Sequence, residues 1–291
     1  MKTLTYPRIG EKAIWETLPN GLPICVVPKP GYARKFAFFT TRYGGMDMRF
    51  QLDGQWLDTP AGIAHYLEHK MFDTADGSAM QDLARGGAEP NAYTSNAVTA
   101  YYFDCTEHFY DNLRILLSFV SVPYFTDESV EKEQGIIGQE IRMYQDEPNW
   151  QVMFNCLRAL YKVHPVRIDI AGTIDSISHI TADLLYRCYR TFYNLHNMAL
   201  AVAGNVTVNE VLEVADRLLK PADALSIERN FPDEPAKPVQ PFIEQTLDVG
   251  APLFMLGFKE TYETPERPLR EQLQTNVLLE MLAGNTSPQV V

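Results

Sequence analysis

The tightest constraint in the sequence is the pentapeptide HYLEH, which sets His65, Glu68 and His69 within five residues of a chain that has six histidines. It follows Thr59-Pro60, a pair that predicts a helix start, with threonine as N-cap and proline at the first helical position, where its missing N–H costs nothing. The helix is expected to run from Pro60 to about Phe72 and to stop near Asp76-Gly77. At about 100° per residue, Ile63, Leu67 and Met71 form one apolar stripe, with Tyr66 and Lys70 beside it. His65, Glu68, His69 and Phe72 fall on the opposite side. Residues four apart are neighbours one turn apart, so both imidazoles can reach one metal ion while the carboxylate between them stands close without binding. The plainer alternative is a solvated polar face, since chance alone gives H-x-x-E-H in roughly one chain in a hundred of this length. The pentapeptide by itself does not decide between them.

A catalytic zinc normally takes three protein ligands and keeps one position for water. A candidate third ligand lies in TDESVEKEQGIIGQEIRMYQDEP, residues 126–148. Thr126 suits an N-cap, Asp127 and Glu128 suit the positive start of a helix, and Pro148 lies just past its expected end. The apolar stripe reads as Val130, Ile136, Ile137 and Tyr144, and Glu133 and Glu140 fall on that same stripe. A carboxylate facing a core is costly unless it is paired or bound to a metal. Glu128, Glu131, Asp146 and Glu147 lie off the stripe or at the ends and read as solvated charge. Two readings stay open: Glu133 and Glu140 share a metal site with the histidines, or both pair with Lys or Arg at the stripe's edge.

Composition narrows the function classes. At 291 residues, 46% apolar and 21% charged, the chain has ordinary globular composition and length for one large domain or two smaller ones. A net charge of −12 argues against a phosphate-tracking nucleic-acid surface, and serves solubility or attraction of basic peptides. No apolar run approaches the ~20 residues that cross a bilayer. The opening MKTLTYPRIGEKAIWETL has no continuous apolar stretch after its lysine, so it does not read as a secretory signal. Cys25, Cys105, Cys156 and Cys188 are far apart and never form C-x-x-C. They read as reduced thiols of a cytoplasmic protein.

HYLEH, followed about 70 residues later by the E-x6-E of EQGIIGQE, resembles the pitrilysin/insulinase family of inverted-zincin metallopeptidases. GGAEPNAYTSNAVTAYYFDC resembles that family's glycine turn and following strand. HPVRIDIAGTIDSISHITADLL resembles its H-P…G-T…I…I-T segment, and FYNLHNMALAVAGNV its last strand before a closing helix. Within the family the sequence is most similar to cytoplasmic bacterial members. The resemblance implies a Zn2+ cofactor held by His65, His69 and Glu140, with Glu68 as general base. It implies that Glu133 supports the site from behind the ligands, and that Asn91 and Ala92 begin the strand along which peptide is held. Lys70 stands where the family often has an apolar or small residue, and it is expected to point away from the metal face.

The implied activity is a zinc endopeptidase acting on peptides or small proteins through a zinc-activated water whose proton Glu68 takes and passes to the leaving amine. Substrate would lie extended against an edge strand near Asn91 to Thr94. The rival reading is a partner-dependent or non-catalytic peptide-binding subunit of a processing-peptidase-like complex, with a homo- or hetero-oligomer partner. A zinc hydrolase of some other substrate class is a third.

Strands are expected around Ile24 to Val27, Phe36 to Tyr43, Thr99 to Phe103 and Ala199 to Val202. Helices are expected around Pro60 to Phe72, Phe109 to Val120, Asp127 to Tyr144, Ala182 to Phe192 and Val208 to Leu219. That pattern is α+β, helices laid on a mainly antiparallel sheet. The proline-rich KPADALSIERNFPDEPAKPVQPF reads as a linker. The expected division is a zinc-binding peptidase domain over 1–220, a linker over 221–245, and over 246–291 the truncated start of a second, metal-free repeat. In that last part PLFMLGFK is expected to be a strand leading through ETPERP to the helix LREQLQTNVLLEML. The order echoes KFAFFTTRYGG, loop, HYLEH helix. Because the repeat ends at AGNTSPQVV, the active site is expected to be open and proteolysis feeble until a missing half or partner is supplied.

Overall fold

The computed structural model describes residues 1–260 and 269–284. The chain begins with strands β1 (Lys2–Tyr6), β2 (Glu11–Thr17), β3 (Pro23–Pro28), β4 (Lys35–Thr41), β5 (Arg49–Leu52) and β6 (Gln55–Asp58). Next come α1 (Ile63–Lys70), the small hairpin β7 (Asp73–Thr74) and β8 (Gly77–Ser78), α2 (Ala79–Arg85), β9 (Ala88–Thr94) and β10 (Thr99–Cys105). Helices α3 (Phe109–Ser121), α4 (Asp127–Asp146), α5 (Pro148–Leu160), α6 (Ile174–Ser178) and α7 (Ala182–Phe192) lead to β11 (Met198–Gly204). The described chain finishes with α8 (Val208–Leu218), β12 (Ile227–Arg229) and α9 (Leu269–Ala283).

The fold is α+β. Seven strands form one sheet in the order β1-β2-β3-β11-β4-β10-β9, antiparallel everywhere except between β11 and β3. Alternation along β4 gives the sheet two faces: Ala37, Phe39 and Thr41 are buried beneath helices, while Phe36 and Phe38 face the other way and meet Tyr93 and Tyr102. Helices α1 and α3 pack on β10, and α8 packs on β3, so one face of the sheet carries the core. The strands expected at Ile24, Phe36, Thr99 and Ala199 are β3, β4, β10 and β11. β9 is the free edge of the sheet on the side where α1 lies.

Helix α1 begins later than its Thr-Pro signal suggests. Gly62, at φ 93°, precedes the first helical residue, Ile63, and the Thr59 hydroxyl donates to the Met48 carbonyl instead of capping. The cause is a close crossing of two segments. A Cβ on Gly62 would stand 2.5 Å from the Ala171 carbonyl oxygen, and one on Gly172 (φ 75°) would stand 2.4 Å from that of Ala61. Two left-handed glycines let the backbones meet, and the helix cannot start until the crossing is passed. Once started, α1 is buried nearly all round, with Ile63, Tyr66, Leu67 and Lys70 against the core and His65 and Glu68 also buried. The solvated-face reading of this helix is therefore wrong.

Helix α4 starts as expected, with Thr126 and Ser129 forming a reciprocal capping box. Its buried residues are Val130, Ile137, Gly138 and Ile141, while Ile136, read as part of the stripe, is 48% exposed. Pro148 does not merely follow α4: it is the first residue of α5, a helix the sequence reading lacked, capped by the Glu147 side chain. In 252–259 PLFMLGFK forms no strand, and Phe254, Leu256 and Phe258 are exposed. The stretch 234–259 instead straps α5. Val239 and Gln240 donate to the Ala159 carbonyl, and Asn155 bonds Gln245. The expected helix near the end of the chain is present as α9, with no buried residue. ETPERP and most of AGNTSPQVV lie outside the described residues.

Candidate metal centre

Helices α1 and α4 pack against each other and bring the sequence-predicted residues together. His65 and His69, one turn apart on α1, have ring centroids 4.6 Å apart. Across from them Glu140 of α4 sets Oε1 3.6 Å from His65 Nε2 and Oε2 3.5 Å from His69 Nε2. One donor atom from each of His65, His69 and Glu140 can be chosen so that all lie within 4.8 Å of one another. Zinc–nitrogen and zinc–oxygen bonds of about 2.0–2.2 Å at tetrahedral angles require donors roughly 3.3–3.5 Å apart. The spacing between Glu140 and each imidazole is thus close to what one ion needs, and two imidazoles with one carboxylate are a donor set zinc accepts.

The charges around these donors are unequal. Glu140 is held down at about 2, chiefly by the neighbouring His65 imidazole, with the Tyr144 hydroxyl donating at 2.6 Å, against the opposing effect of burial. It is a carboxylate at any working pH. Burial works against charge on His69, yet its Nδ1 lies 3.0 Å from Glu133 Oε1, and that bond and the nearby carboxylates raise its pKa. Glu133 therefore orients His69 so that Nε2 points at Glu140. His65 Nδ1 is buried with no hydrogen-bond partner among the described residues, and Glu140 faces its Nε2.

Glu68 sits on the same side of α1 but does not belong to the donor triangle. It is 7% exposed, and burial raises its pKa, partly offset by the Thr94 hydroxyl, which donates to Oε2 at 2.6 Å, and by the two histidines. A buried carboxylate with a raised pKa, fixed by one hydrogen bond, is suited to take and return a proton. Thr94 belongs to β9, so the edge strand and this carboxylate are tied together.

The donors form the floor of a cleft of about 480 Å³. Asn91, Ala92, Tyr93 and Thr94 of β9 form one wall, and Tyr144, Trp150, Ile170 and Ala171 the other. Asn91 Oδ1 accepts the Ala92 N–H at 2.8 Å, and β9, last in the sheet order, has one edge with no neighbouring strand among the described residues. The sequence reading placed Thr94 only as the end of the substrate strand and Tyr144 only in the α4 stripe, and it did not single out Trp150. Tyr144 stacks on Trp150 at 4.6 Å, and the Trp150 indole donates to Asp169 at 2.6 Å, which braces that wall. Tyr144, one turn beyond Glu140, could have been found by helical spacing. Trp150, on α5, and Asp169, between α5 and α6, meet through tertiary packing that helical spacing does not reveal.

Two family profiles match the chain: insulinase (peptidase family M16) over residues 54–174, and the peptidase M16 inactive domain over 179–289. The uncharacterized zinc protease YmfH of Bacillus subtilis is 43% identical over 99% of this chain and 69% of its own. Among solved structures, a protein of Alicyclobacillus acidocaldarius described as M16-like is 41% identical, with a TM-score of 0.77 over 81% of this chain and 56% of that one. A protease of Helicobacter pylori, 22% identical, shares the fold at a TM-score of 0.69 over 78% of this chain and 55% of that one. The chain spans about half the length of these solved proteins. By the two matched profiles and the identity with the Bacillus protein, this chain belongs to the insulinase (M16) peptidase family.

Proposed function

We propose that this chain is a zinc-dependent endopeptidase domain, with His65, His69 and Glu140 as the metal ligands, Glu68 as general base and Glu133 as the support of His69. The observation that carries the reading is the triangle of two imidazoles and Glu140, with 3.5 and 3.6 Å between donors, beside a buried carboxylate outside it. When bound there, zinc would act as a Lewis acid on the scissile carbonyl and make water a nucleophile near neutral pH. Glu68 would take a proton from the attacking water at one carboxylate oxygen and deliver it to the departing amine nitrogen, while the Thr94 hydroxyl holds its Oε2. Asn91 and Ala92 hold peptide or small-protein substrate as an added strand on β9, through main-chain bonds that favour extended shape over particular side chains. Residues 1–220 form the peptidase domain, 221–245 the linker and 246–291 the start of the second repeat. Cytoplasmic residence is part of the proposal, supported by four unpaired cysteines and by the lack, among described residues, of a helix long and apolar enough to cross a membrane.

One observation favours a partner. α9 buries none of its apolar residues, and Leu273, Val277 and Leu278 stand more than half exposed. A face of this kind needs a covering surface, so full activity is proposed to need another domain or subunit against it. The decisive experiment is Glu68→Gln. The variant is expected to keep stoichiometric zinc and lose any peptide hydrolysis. Loss of the metal to the extent seen in His65→Ala would make Glu68 a ligand and overturn its role.

A further inference from the structure

The sequence reading set Lys70 aside as a minor departure pointing away from the metal. It does point away, but it is fully buried, with 0% of its surface exposed. Its ammonium forms an ion pair with Asp73 of the β7–β8 hairpin and donates at 3.2 Å to the Ser129 carbonyl in the first turn of α4. One turn earlier on α1, the Tyr66 hydroxyl donates to the Val130 carbonyl. A buried charge is costly to keep and is retained where its directional contacts do something a hydrocarbon cannot.

We infer that Lys70 is a positioning residue that sets the register of α4 on α1, and so places Glu133 and Glu140 against the histidines; this rests on the metal-site reading above. Lys70 meets Ser129, Tyr66 meets Val130, His69 meets Glu133 and His65 meets Glu140, so the backbone anchors fall in the first turn of α4 and the metal donors lie farther along it. Lys70 and Tyr66 hold the backbone of α4 at one end, and the metal donors follow along the same rigid rod. At 1.5 Å rise and 100° turn per residue, a slip of a single residue carries Glu140 out of reach of both imidazoles, and metal sites tolerate only a few tenths of an ångström. A methionine at 70 would fill the volume but would be indifferent to where the carbonyls of α4 lie.

The test compares Lys70→Met with wild type in the full chain. It uses zinc affinity by chelator competition, the visible spectrum of the cobalt-substituted protein and the thermal midpoint of the metal-free protein. Lys70→Met is expected to weaken zinc binding by about 10–100-fold, as loss of outer support does, and to change the intensity of the cobalt bands. The metal-free midpoint should hold or rise, because an apolar group replaces a buried charge. Zinc affinity within about threefold of wild type with an unchanged cobalt spectrum would overturn the inference, as would an affinity loss matched by collapse of the metal-free midpoint. Should Lys70→Met fail to fold, Asp73→Asn, whose carboxylate is 41% exposed, carries the test. It is expected to weaken zinc several-fold, and wild-type affinity would sink the idea. A wild-type protein that binds no zinc would take down the metal-site reading itself, whereas tight wild-type binding with indifferent variants removes only the role of Lys70.

Discussion

Replacing Glu133 by glutamine separates support of the site from ligation. Glu133 accepts from His69 Nδ1 at 3.0 Å, with 14% of its side chain and 26% of that of His69 exposed. A largely buried hydrogen bond to a charged group contributes about 1.5–3 kcal/mol, against about 1 kcal/mol for a neutral one. Glutamine keeps the shape and an acceptor oxygen but removes the charge, so the loss is roughly 1–2 kcal/mol, or about 5- to 30-fold in affinity at 1.4 kcal/mol per decade. Removing a negative charge so close to a bound cation pushes the effect towards the upper end, within the 10–100-fold range expected for a group that orients a ligand. The fold has little reason to suffer, because the bond to His69 survives in neutral form. Zinc affinity measured by competition with a chromogenic chelator should therefore fall by about 10- to 30-fold, with the metal-free thermal midpoint nearly unchanged. Affinity within threefold of wild type would show that Glu133 does not polarise His69. Complete loss of zinc, as for a removed histidine, would make Glu133 a ligand.

Further outcomes follow from neighbouring contacts. Tyr144→Phe keeps the stack on Trp150 but removes the hydroxyl that donates to Glu140. Zinc affinity should fall by about tenfold, and an unchanged dissociation constant would show that Glu140 needs no such anchor. The strap over α5 should be acid-labile. Glu234 is only slightly exposed, which works against its charge, but it accepts the backbone N–H groups of Lys162, Val163 and His164 and the Lys259 ammonium, and is held at about 2. A carboxylate lowered in the folded state binds its proton more readily once released, so its contribution is full above about pH 5 and fades as pH falls towards about 2. Amide protection over 236–258, taken relative to the intrinsic exchange rate at each pH, should fall in that window and, in Glu234→Ala, already at neutral pH. Equal protection in variant and wild type at pH 7 would contradict it.

What could be read from the sequence followed how far each signal reaches along the chain. The 3.6-residue period placed His65, Glu68 and His69 on one side of α1 and set Glu133 and Glu140 facing inward, because each fact is local to one helix. The strands expected near Phe36 and Thr99 are local in the same way and are β4 and β10. The start of α1 was misread because Thr59-Pro60 is a genuine local signal overridden by the approach of Ala171–Gly172, more than a hundred residues away. Pro148 served both as a stop for α4 and as the first residue of α5, and a proline alone does not say which. PLFMLGFK had the composition of a strand but pairs with none, since β9 and β1 form the two edges of the main sheet and the segment lies against α5 instead. Thr94, Trp150 and Lys70 became legible only once β9, α5 and α4 were packed on α1, for their partners come from elsewhere in the chain.

The most direct measurement is the zinc content of the purified chain after equilibration with limiting metal near pH 7.5 without chelating buffer, read by inductively coupled plasma mass spectrometry. The account predicts one zinc per wild-type chain, none retained in His65→Ala, His69→Ala or Glu140→Ala, and one in Glu68→Gln. A wild-type chain that takes up no stoichiometric zinc, or alanine variants that hold it as well as wild type does, would contradict it.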